Sequence, residues 1–186
     1  MLGVTSSSLV SPKVFVSMSV LIGYHGTSAR EASLIERDGF QDSSAESWLG
    51  PGIYFFETQF IFDGPEAARW WAKSYKKNKR WVILKAEIDS ANILDLLASK
   101  EDRDKFSQIK RKLLEKHLDS GGEESNFSLK GVFLYFSRKV EVIRSLVDAG
   151  RLDKFANFIV GYPQVQICVT KSSCIRYLVR EEEGEL

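Results

Sequence analysis

The segments GYHGTS (residues 23–28) and GPGIYFF (residues 50–56) decide the fold prediction. Residues 13–24, which lead into the first segment, are rich in Val, Phe, Leu and Ile and predict a strand that ends at His25. Residues 48–57 predict a short strand, and its glycines suit a backbone that bends tightly or lies close to another group. The chain therefore has two predicted strands, about thirty residues apart, that each carry a glycine-flanked His or Tyr.

A helix is predicted between these two strands. Ser28 can cap its first turn, Glu31 completes a capping box, and Gly39 supplies the stop. A second helix is predicted to begin at Gly64–Pro65, because proline is favoured in the first turn. The other predicted elements are a strand at 81–88, a helix from 99, a loop at 119–130, a strand at 131–136, a helix at 137–149, and strands at 158–160, 165–169 and 175–179.

This order of elements predicts the fold class. Strands alternate with short helices and then dominate the last part of the chain, which favours an α+β fold over a doubly wound parallel sheet. No Gly-x-Gly-x-x-Gly motif follows a predicted strand, so a Rossmann-type dinucleotide site is not indicated. We predict one domain at residues 13–180, with a flexible Ser-rich tail at 1–12 and a frayed acidic tail at 181–186.

Composition limits the classes of function. A net charge of +1 over 186 residues gives no overall attraction to nucleic acid or to an anionic membrane. No run approaches the roughly 18 apolar residues that a membrane span needs. Cys168 and Cys174 lie in apolar stretches and predict reduced core residues of a cytoplasmic protein, with no disulfide framework and no zinc spacing.

Two basic clusters interrupt this balanced charge. Their residues are Lys73, Lys76, Lys77, Lys79 and Arg80 in the first, and Lys105, Lys110, Arg111, Lys112 and Lys116 in the second. A polar turn and a solvated helix face are the favoured interpretations, and contact with phosphate groups is the less favoured one. The clusters therefore leave a nucleic-acid partner open without predicting one.

The two motifs resemble the active-site strands of the ADP-ribosyltransferase superfamily, which includes poly-ADP-ribose-polymerase-like and diphtheria-toxin-like catalytic domains. In that family a His-Gly-(Ser/Thr) strand and a Gly-x-Gly-(Ile/Phe)-Tyr strand together hold the nicotinamide half of NAD. The resemblance implies a split β-sheet core with flanking helices, and NAD as a co-substrate without a metal. It covers about half of the chain and leaves residues 99–160 unmatched.

The resemblance implies a role for each residue of the two motifs. His25 would hydrogen-bond a ribose hydroxyl, and the backbone of Gly26 would bind the nicotinamide carboxamide. Thr27 stands where many members have Ser and would bind the same half of the ligand. Tyr54 would stack on the nicotinamide ring, and aromatic faces do attract cationic rings.

Two further positions follow from the same resemblance. The helix after the tyrosine strand carries Trp70 and Trp71, which point about 100° apart on a helix, and we favour Trp71 as the residue that closes the other face of the ring. On the strand at 165–169, Gln166 falls where the family often has Glu and would complete a catalytic set with His25 and Tyr54. An amide cannot supply negative charge or accept a proton at neutral pH. We therefore expect transfer of a single ADP-ribose unit in place of polymer synthesis.

The sequence thus predicts a cytoplasmic NAD-dependent mono-ADP-ribosyltransferase that modifies a macromolecule, whether protein, DNA or RNA. Small domains of this kind often act as toxins or defence effectors, which leaves an inhibitor or antitoxin partner open. Three alternatives remain: a catalytically degenerate domain that binds a nucleotide or a partner, an NAD glycohydrolase, and an RNA 2′-phosphotransferase-like enzyme. The last is the least favoured because its members are richer in Arg and His at the site, whereas here His25 is the only histidine in a motif.

Overall fold

The structure, a computed structural model, describes residues 19–42, 47–59, 63–147 and 164–186. Its strands are β1 (Ser19–Ser28), β2 (Ile53–Phe56), β3 (Arg80–Ser90), β4 (Ile93–Asp95), β5 (Val142–Val147), β6 (Gln164–Val169) and β7 (Ile175–Glu185). Its α-helices are α1 (Ala29–Asp38), α2 (Gly64–Trp70), α3 (Lys100–Asp119) and α4 (Leu129–Ser137). A π-helical turn (Trp71–Tyr75) continues α2, and short 3₁₀ turns lie at Glu124–Asn126 and Ser172–Cys174.

These strands form one sheet in the order β4-β5-β6-β2-β1-β3-β7. β4 and β5 run parallel, and the other neighbouring strands of the described sheet are antiparallel. Helices pack on this mixed sheet without alternating regularly with its strands. The predicted α+β class is therefore confirmed.

The sheet is nearly divided between β1 and β2. β1 pairs with β3 along its whole length, but it pairs with β2 at a single position, where Tyr24 lies opposite Phe56. Two halves, β4-β5-β6-β2 and β1-β3-β7, therefore meet at one point and diverge beyond it. The sequence predicted that this strand ends at His25. β1 instead continues to Ser28, so His25 lies inside the strand.

Helices α1 and α2 cover opposite faces of the second half of the sheet. Ala32 of α1 is fully buried against Val82 and Leu84, whereas Ala68 of α2 packs in a cluster that includes Trp81 and Ile83. Successive side chains of a strand point to opposite faces. Because these four positions alternate along β3, the two helices enclose the strand from both sides.

The caps of α1 follow the sequence signals. The Ser28 hydroxyl accepts a hydrogen bond from the Glu31 amide at 3.1 Å, as a capping residue should. Gly39 ends the helix with φ of 76° and donates its amide to the Ile35 carbonyl at 2.8 Å. α2 begins at the predicted position, with the Asp63 side chain as its cap. α1 therefore starts directly at the end of β1, beside the opening between the two halves of the sheet.

Two predicted elements in the middle of the chain are wrong. The strand predicted at 131–136 lies in α4, and the helix predicted at 137–149 gives way to β5. α4 buries Val132, Phe133 and Phe136, which have a helical spacing. They lie in a short apolar run, and such a run is also typical of a buried strand. The part of the predicted helix beyond residue 147, and the strand predicted at 158–160, lie outside the described residues.

The prediction of a frayed acidic tail is also wrong. Residues 181–185 belong to β7, which pairs with β3 as far as Glu185. The Glu181 carboxylate lies 3.8 Å from the ammonium group of Lys85, and the Glu185 carboxylate lies 3.0 Å from the guanidinium of Arg80. Opposite charges on adjacent strands stabilise their pairing. The acidic run is therefore a strand paired with β3, which also supplies cations beside two of its carboxylates.

Candidate functional site

A cavity of about 570 Å³ opens where β1 and β2 diverge. Small-molecule sites commonly span about 300–1,000 Å³. α1 and the residues after it form one wall, and β2, the π-helical turn and β6 form the other. Five of the residues predicted for the site line this cavity: His25, Thr27, Tyr54, Trp71 and Gln166. The sixth, Gly26, does not.

The cavity passes between the two faces of the sheet. Counting from the registered pair of Tyr24 and Phe56, the pleat directs Tyr54 to one face and His25 to the other. The side-chain contacts agree with this. The His25 ring centroid lies 5.1 Å from that of Phe40, on the α1 side, whereas Tyr54 packs in a cluster on the other face. Both side chains still border one cavity because the strands separate beside them.

A hydrogen bond sets the protonation of His25. Its Nδ1 atom lies 2.8 Å from the backbone oxygen of Tyr54, and a carbonyl oxygen can only accept, so Nδ1 carries the proton. Burial lowers the pKa of His25 below its ordinary value; the bond to the carbonyl opposes this, and the charge of Lys76 adds to it. The ring is therefore neutral at pH 7, and Nε2 keeps a lone pair that can accept a hydrogen bond.

The hydroxyl of Tyr54 holds the loop that precedes β2. It accepts a hydrogen bond from the Leu49 amide at 2.9 Å and donates one to the Gly50 carbonyl at 2.7 Å. Burial raises the pKa of Tyr54, so the phenol stays protonated and can donate at neutral pH. Gly50 has φ of 99°, a backbone conformation that favours glycine. The phenol oxygen is thus occupied by the loop, while the ring lies at the cavity wall.

Aromatic rings cluster in one corner of the cavity. The Trp48 ring centroid lies 5.3 Å from that of Tyr54 and 5.9 Å from that of Trp71, both in edge-to-face contact. Trp71 also contacts Phe56 at 6.3 Å. Trp71 lines the cavity and Trp70 does not, which follows from the angle between neighbouring positions on a helix. This corner can pack against a flat ring, and its π-faces favour a cationic one.

Gln166 lies on the wall opposite α1. Its side chain is 4% exposed, in a strand whose backbone pairs with β2 on one side and β5 on the other. The indole N–H of Trp48 donates to its side-chain oxygen. Trp48 was not among the predicted site residues, and sequence reasoning missed this bond.

The glycines of the two motifs are required by packing. A Cβ atom at Gly26 would lie 1.9 Å from the carbonyl oxygen of Ala68, so α2 can approach β1 only over a glycine. A Cβ atom at Gly52 would lie 2.6 Å from the sulfur of Cys168. Gly26 does not line the cavity, and its predicted contact with a carboxamide has no counterpart in the cavity lining.

Sequence reasoning missed the wall that α1 supplies. The residues of this wall that line the cavity are Glu31, Leu34, Ile35, Asp38, Gly39, Phe40 and Gln41. Two apolar neighbours in an otherwise charged helix, and an aromatic residue directly after the Gly39 stop, were signals that could have found it. Lys76 also lines the cavity, so one member of the first basic cluster belongs to the site.

The described residues include neither a group of metal ligands nor a membrane-crossing helix. Within residues 19–42, 47–59, 63–147 and 164–186, His, Cys, Asp and Glu side chains form no group of three that could hold a metal ion. Of the helices in these same ranges, none has the length and apolar character to cross a membrane. Cys168 and Cys174 are buried and unpaired, as predicted.

Comparisons with known proteins leave the function open. No protein-family model matches the chain. The uncharacterized protein MJ0359 of Methanocaldococcus jannaschii is 26% identical over 187 aligned positions, which cover 83% of this chain and 84% of that protein. The similarity extends over most of both chains, but at this identity the relative neither shows a family nor supplies an activity.

Proposed function

We propose that this protein is a cytoplasmic NAD-dependent mono-ADP-ribosyltransferase that acts on a macromolecular acceptor. The observation that carries the proposal is the shared cavity: His25 and Tyr54 come from different strands, Trp71 from a helical turn and Gln166 from a late strand, and all four border it. These are the residues that the resemblance to the family implied. The buried, unpaired cysteines are in keeping with a reducing compartment.

The cavity offers the groups that cleavage of a nicotinamide–ribose bond needs. As nicotinamide leaves, the ribose carbon gains positive charge, as in glycoside cleavage. The Trp71 corner can hold the cationic ring, and the lone pair on Nε2 of neutral His25 can accept a hydrogen bond from a ribose hydroxyl. Fixing both parts of the substrate lowers the entropic cost of reaching the reactive geometry.

Gln166 supports transfer of a single unit. Chain elongation would require each attached ribose to act as a nucleophile, and an amide cannot accept the proton that a hydroxyl releases. The described part of β6 places no carboxylate in the cavity. The acceptor class, protein or nucleic acid, stays open, and a toxin or defence role with an inhibitor partner is one setting for such an enzyme.

Labelled NAD tests the proposal. Purified protein is incubated with NAD labelled in its adenylate part and with cell lysate, and separate samples are then treated with protease and with nuclease. We expect nicotinamide release and label on a macromolecule, and the treatment that removes the label identifies the acceptor class. His25→Ala should abolish both signals, while Arg69→Ala, a change at a residue that does not line the cavity, should preserve them. Wild-type activity in His25→Ala would refute the site.

A binding domain without catalysis is the second candidate. The observation in its favour is that Trp48 already engages the side-chain oxygen of Gln166, so the described part of β6 offers the cavity one remaining amide lone pair and no carboxylate. The two candidates differ in one measurement. A binding domain would show saturable NAD binding by calorimetry with no nicotinamide release, whereas an enzyme would show both.

A further inference from the structure

Gln166 is held in place by its strand before any side-chain contact is considered. Its backbone lies opposite Phe56 of β2 and Ser145 of β5, so neighbours on both sides fix its position. Its side chain is 4% exposed and borders the cavity. The orientation of the terminal amide is not set by the backbone. A half-turn of this group exchanges its oxygen, an acceptor, for its NH₂ group, a donor.

Trp48 fixes the orientation of the Gln166 amide. An indole N–H can only donate, so the amide atom that it meets must be the oxygen of Gln166. The choice between the two ends of an amide has to be made from such partners. The NH₂ group of Gln166 is therefore turned away from Trp48.

This NH₂ group lacks a hydrogen-bond partner among the described residues. Within those residues, the side-chain atoms that are unpartnered and wholly shut off from solvent are Trp81 Nε1 and Asp89 Oδ1. The Gln166 nitrogen is not one of them, and because Gln166 lines the cavity, the open space beside its side chain is the cavity. A donor in such a buried residue normally finds a partner. Here the partner left to it is whatever occupies the cavity.

Trp48 is in turn held by its surroundings. Its ring lies in edge-to-face contact with Tyr54 and Trp71. The next residue, Leu49, is fixed by its amide, which donates to the Tyr54 hydroxyl at 2.9 Å. The indole is thus held by two ring contacts and by a fixed neighbouring residue, and a residue that orients another side chain requires such support.

We infer that Trp48 is a positioning residue that turns the NH₂ group of Gln166 into the cavity, so that the bound ligand presents a hydrogen-bond acceptor to β6. The inference rests on the proposed function and narrows it. Neutral His25 offers a lone pair and Gln166 offers a donor, so the two sides of the cavity have opposite polarity. A ligand that carries a hydroxyl donor for His25 and a separate acceptor for Gln166 satisfies both.

The orientation is tested first in the free protein. In ¹⁵N-labelled wild type we expect the Trp48 indole proton to resonate downfield and to exchange slowly, and in Gln166→Met, which keeps a similar volume, to move upfield and exchange faster. Trp48→Phe assigns the signal. An indole resonance that Gln166→Met leaves in place would overturn the inference.

The polarity is tested with NAD as the probe. On saturation with NAD, the side-chain NH₂ resonances of Gln166 should shift. Gln166→Glu should raise the dissociation constant of NAD at least tenfold, because its carboxylate keeps the bond to Trp48 but turns lone pairs toward an acceptor. Trp48→Phe should raise it by a smaller factor, since the released amide can still rotate into place.

The possible results separate the inference about Gln166 from the proposed function. Equal or tighter NAD binding by Gln166→Glu would mean that the ligand donates at this position, and the inference would be wrong. NAD that saturates the protein without moving the NH₂ resonances would mean that the ligand does not contact this group, and the inference would again be wrong. If wild type does not bind NAD at all, the proposed function fails, and the indole measurement in the free protein still decides whether Trp48 orients Gln166.

Discussion

The Nδ1 atom of His25 lies 2.8 Å from the backbone oxygen of Tyr54, across the gap between β1 and β2. The bond forms one residue beyond Tyr24, where β1 has its one registered pair with β2 in the described sheet. A side chain therefore continues the link between two halves of the sheet that the backbone no longer joins. The same bond assigns the proton to Nδ1 and leaves Nε2 as an acceptor at the cavity.

Binding of NAD should weaken in acid because His25 must be neutral. Burial lowers the pKa of His25 below 6.5, so the ring gains a proton only when the pH falls through that lowered value. Protonation turns Nε2 into a donor and removes the acceptor. We expect a constant dissociation constant for NAD between about pH 7 and 8 and weaker binding below the lowered pKa, measured by calorimetry.

The same shift has a consequence for stability. The unfolded chain binds this proton at a higher pH than the folded protein does, so stability should fall as the pH drops below 6.5 toward the lowered pKa. NMR titration of the His25 ring, assigned with His25→Asn, gives the pKa directly. A midpoint at or above 6.5 would contradict both expectations.

The neighbouring tryptophans should differ in their effect on NAD binding. Trp71 lines the cavity and Trp70 does not. Trp71→Leu removes an aromatic face beside the ligand, and such a contact with a cationic ring is worth about 2 kcal/mol when desolvated, which corresponds to roughly thirtyfold in affinity. Trp70→Leu is the matched control, and we expect it to change the NAD affinity less than twofold.

Urea unfolding of both tryptophan variants separates binding from folding. If the two lose equal stability but differ in NAD affinity, the role of Trp71 in the cavity is established. Equal losses of affinity would instead place the effect in the packing of α2.

Local signals in the sequence predicted the elements around the site, and non-local pairing decided the elements that were missed. The cap at Ser28 and the stop at Gly39 act within one helix, so they can be read directly. β5 lies in a segment that was predicted as a helix, and Arg144 and Ser145 interrupt its apolar run. Arg144 is buried there because Glu57 and Asp95 neutralise it, and neither partner is near it in sequence.

The candidate site shows the same division. His25, Tyr54 and Gln166 could be picked out because each stands in a motif or in an otherwise apolar strand. The wall from α1 and the bond from Trp48 to Gln166 depend on how distant segments pack, which no local pattern encodes. Gly26 was predicted to bind the ligand, but the structure requires glycine there because α2 approaches β1 closely.

Loss of Arg144 should destabilise the fold strongly. Its guanidinium forms two bonds to the Glu57 carboxylate, at 2.6 and 2.9 Å, and one to Asp95 at 2.9 Å, and its side chain is 8% exposed. Arg144→Met would leave buried carboxylates without their cation, which costs about 3–5 kcal/mol. The control is Arg69→Met, which breaks a half-exposed pair with Glu182 worth at most about 1 kcal/mol.

Chemical denaturation of both arginine variants checks this expectation. The double variant Glu57→Met with Arg144→Met should recover part of the loss, because it removes an uncompensated charge together with its partner. Similar free energies of unfolding for Arg144→Met and Arg69→Met would show that the buried network contributes little.

Gly26→Ala should impair folding and NAD binding together. The new Cβ atom would lie 1.9 Å from the Ala68 carbonyl oxygen, a backbone atom, so α2 must move away from β1. Such overpacking costs about 1–3 kcal/mol. Because Trp71 directly follows α2, the displacement also moves the aromatic corner of the cavity.

Gly131→Ala is the matched control for this change. Gly131 lies in α4 with nothing within 4 Å of an added Cβ, so alanine should stabilise the helix by roughly 0.5–1 kcal/mol and leave NAD binding unchanged. Thermal unfolding and NAD calorimetry on both variants make the comparison. If Gly26→Ala is as stable as Gly131→Ala, the contact between β1 and α2 is looser than the structure shows. If it loses stability but keeps its NAD affinity, α2 does not set the position of Trp71.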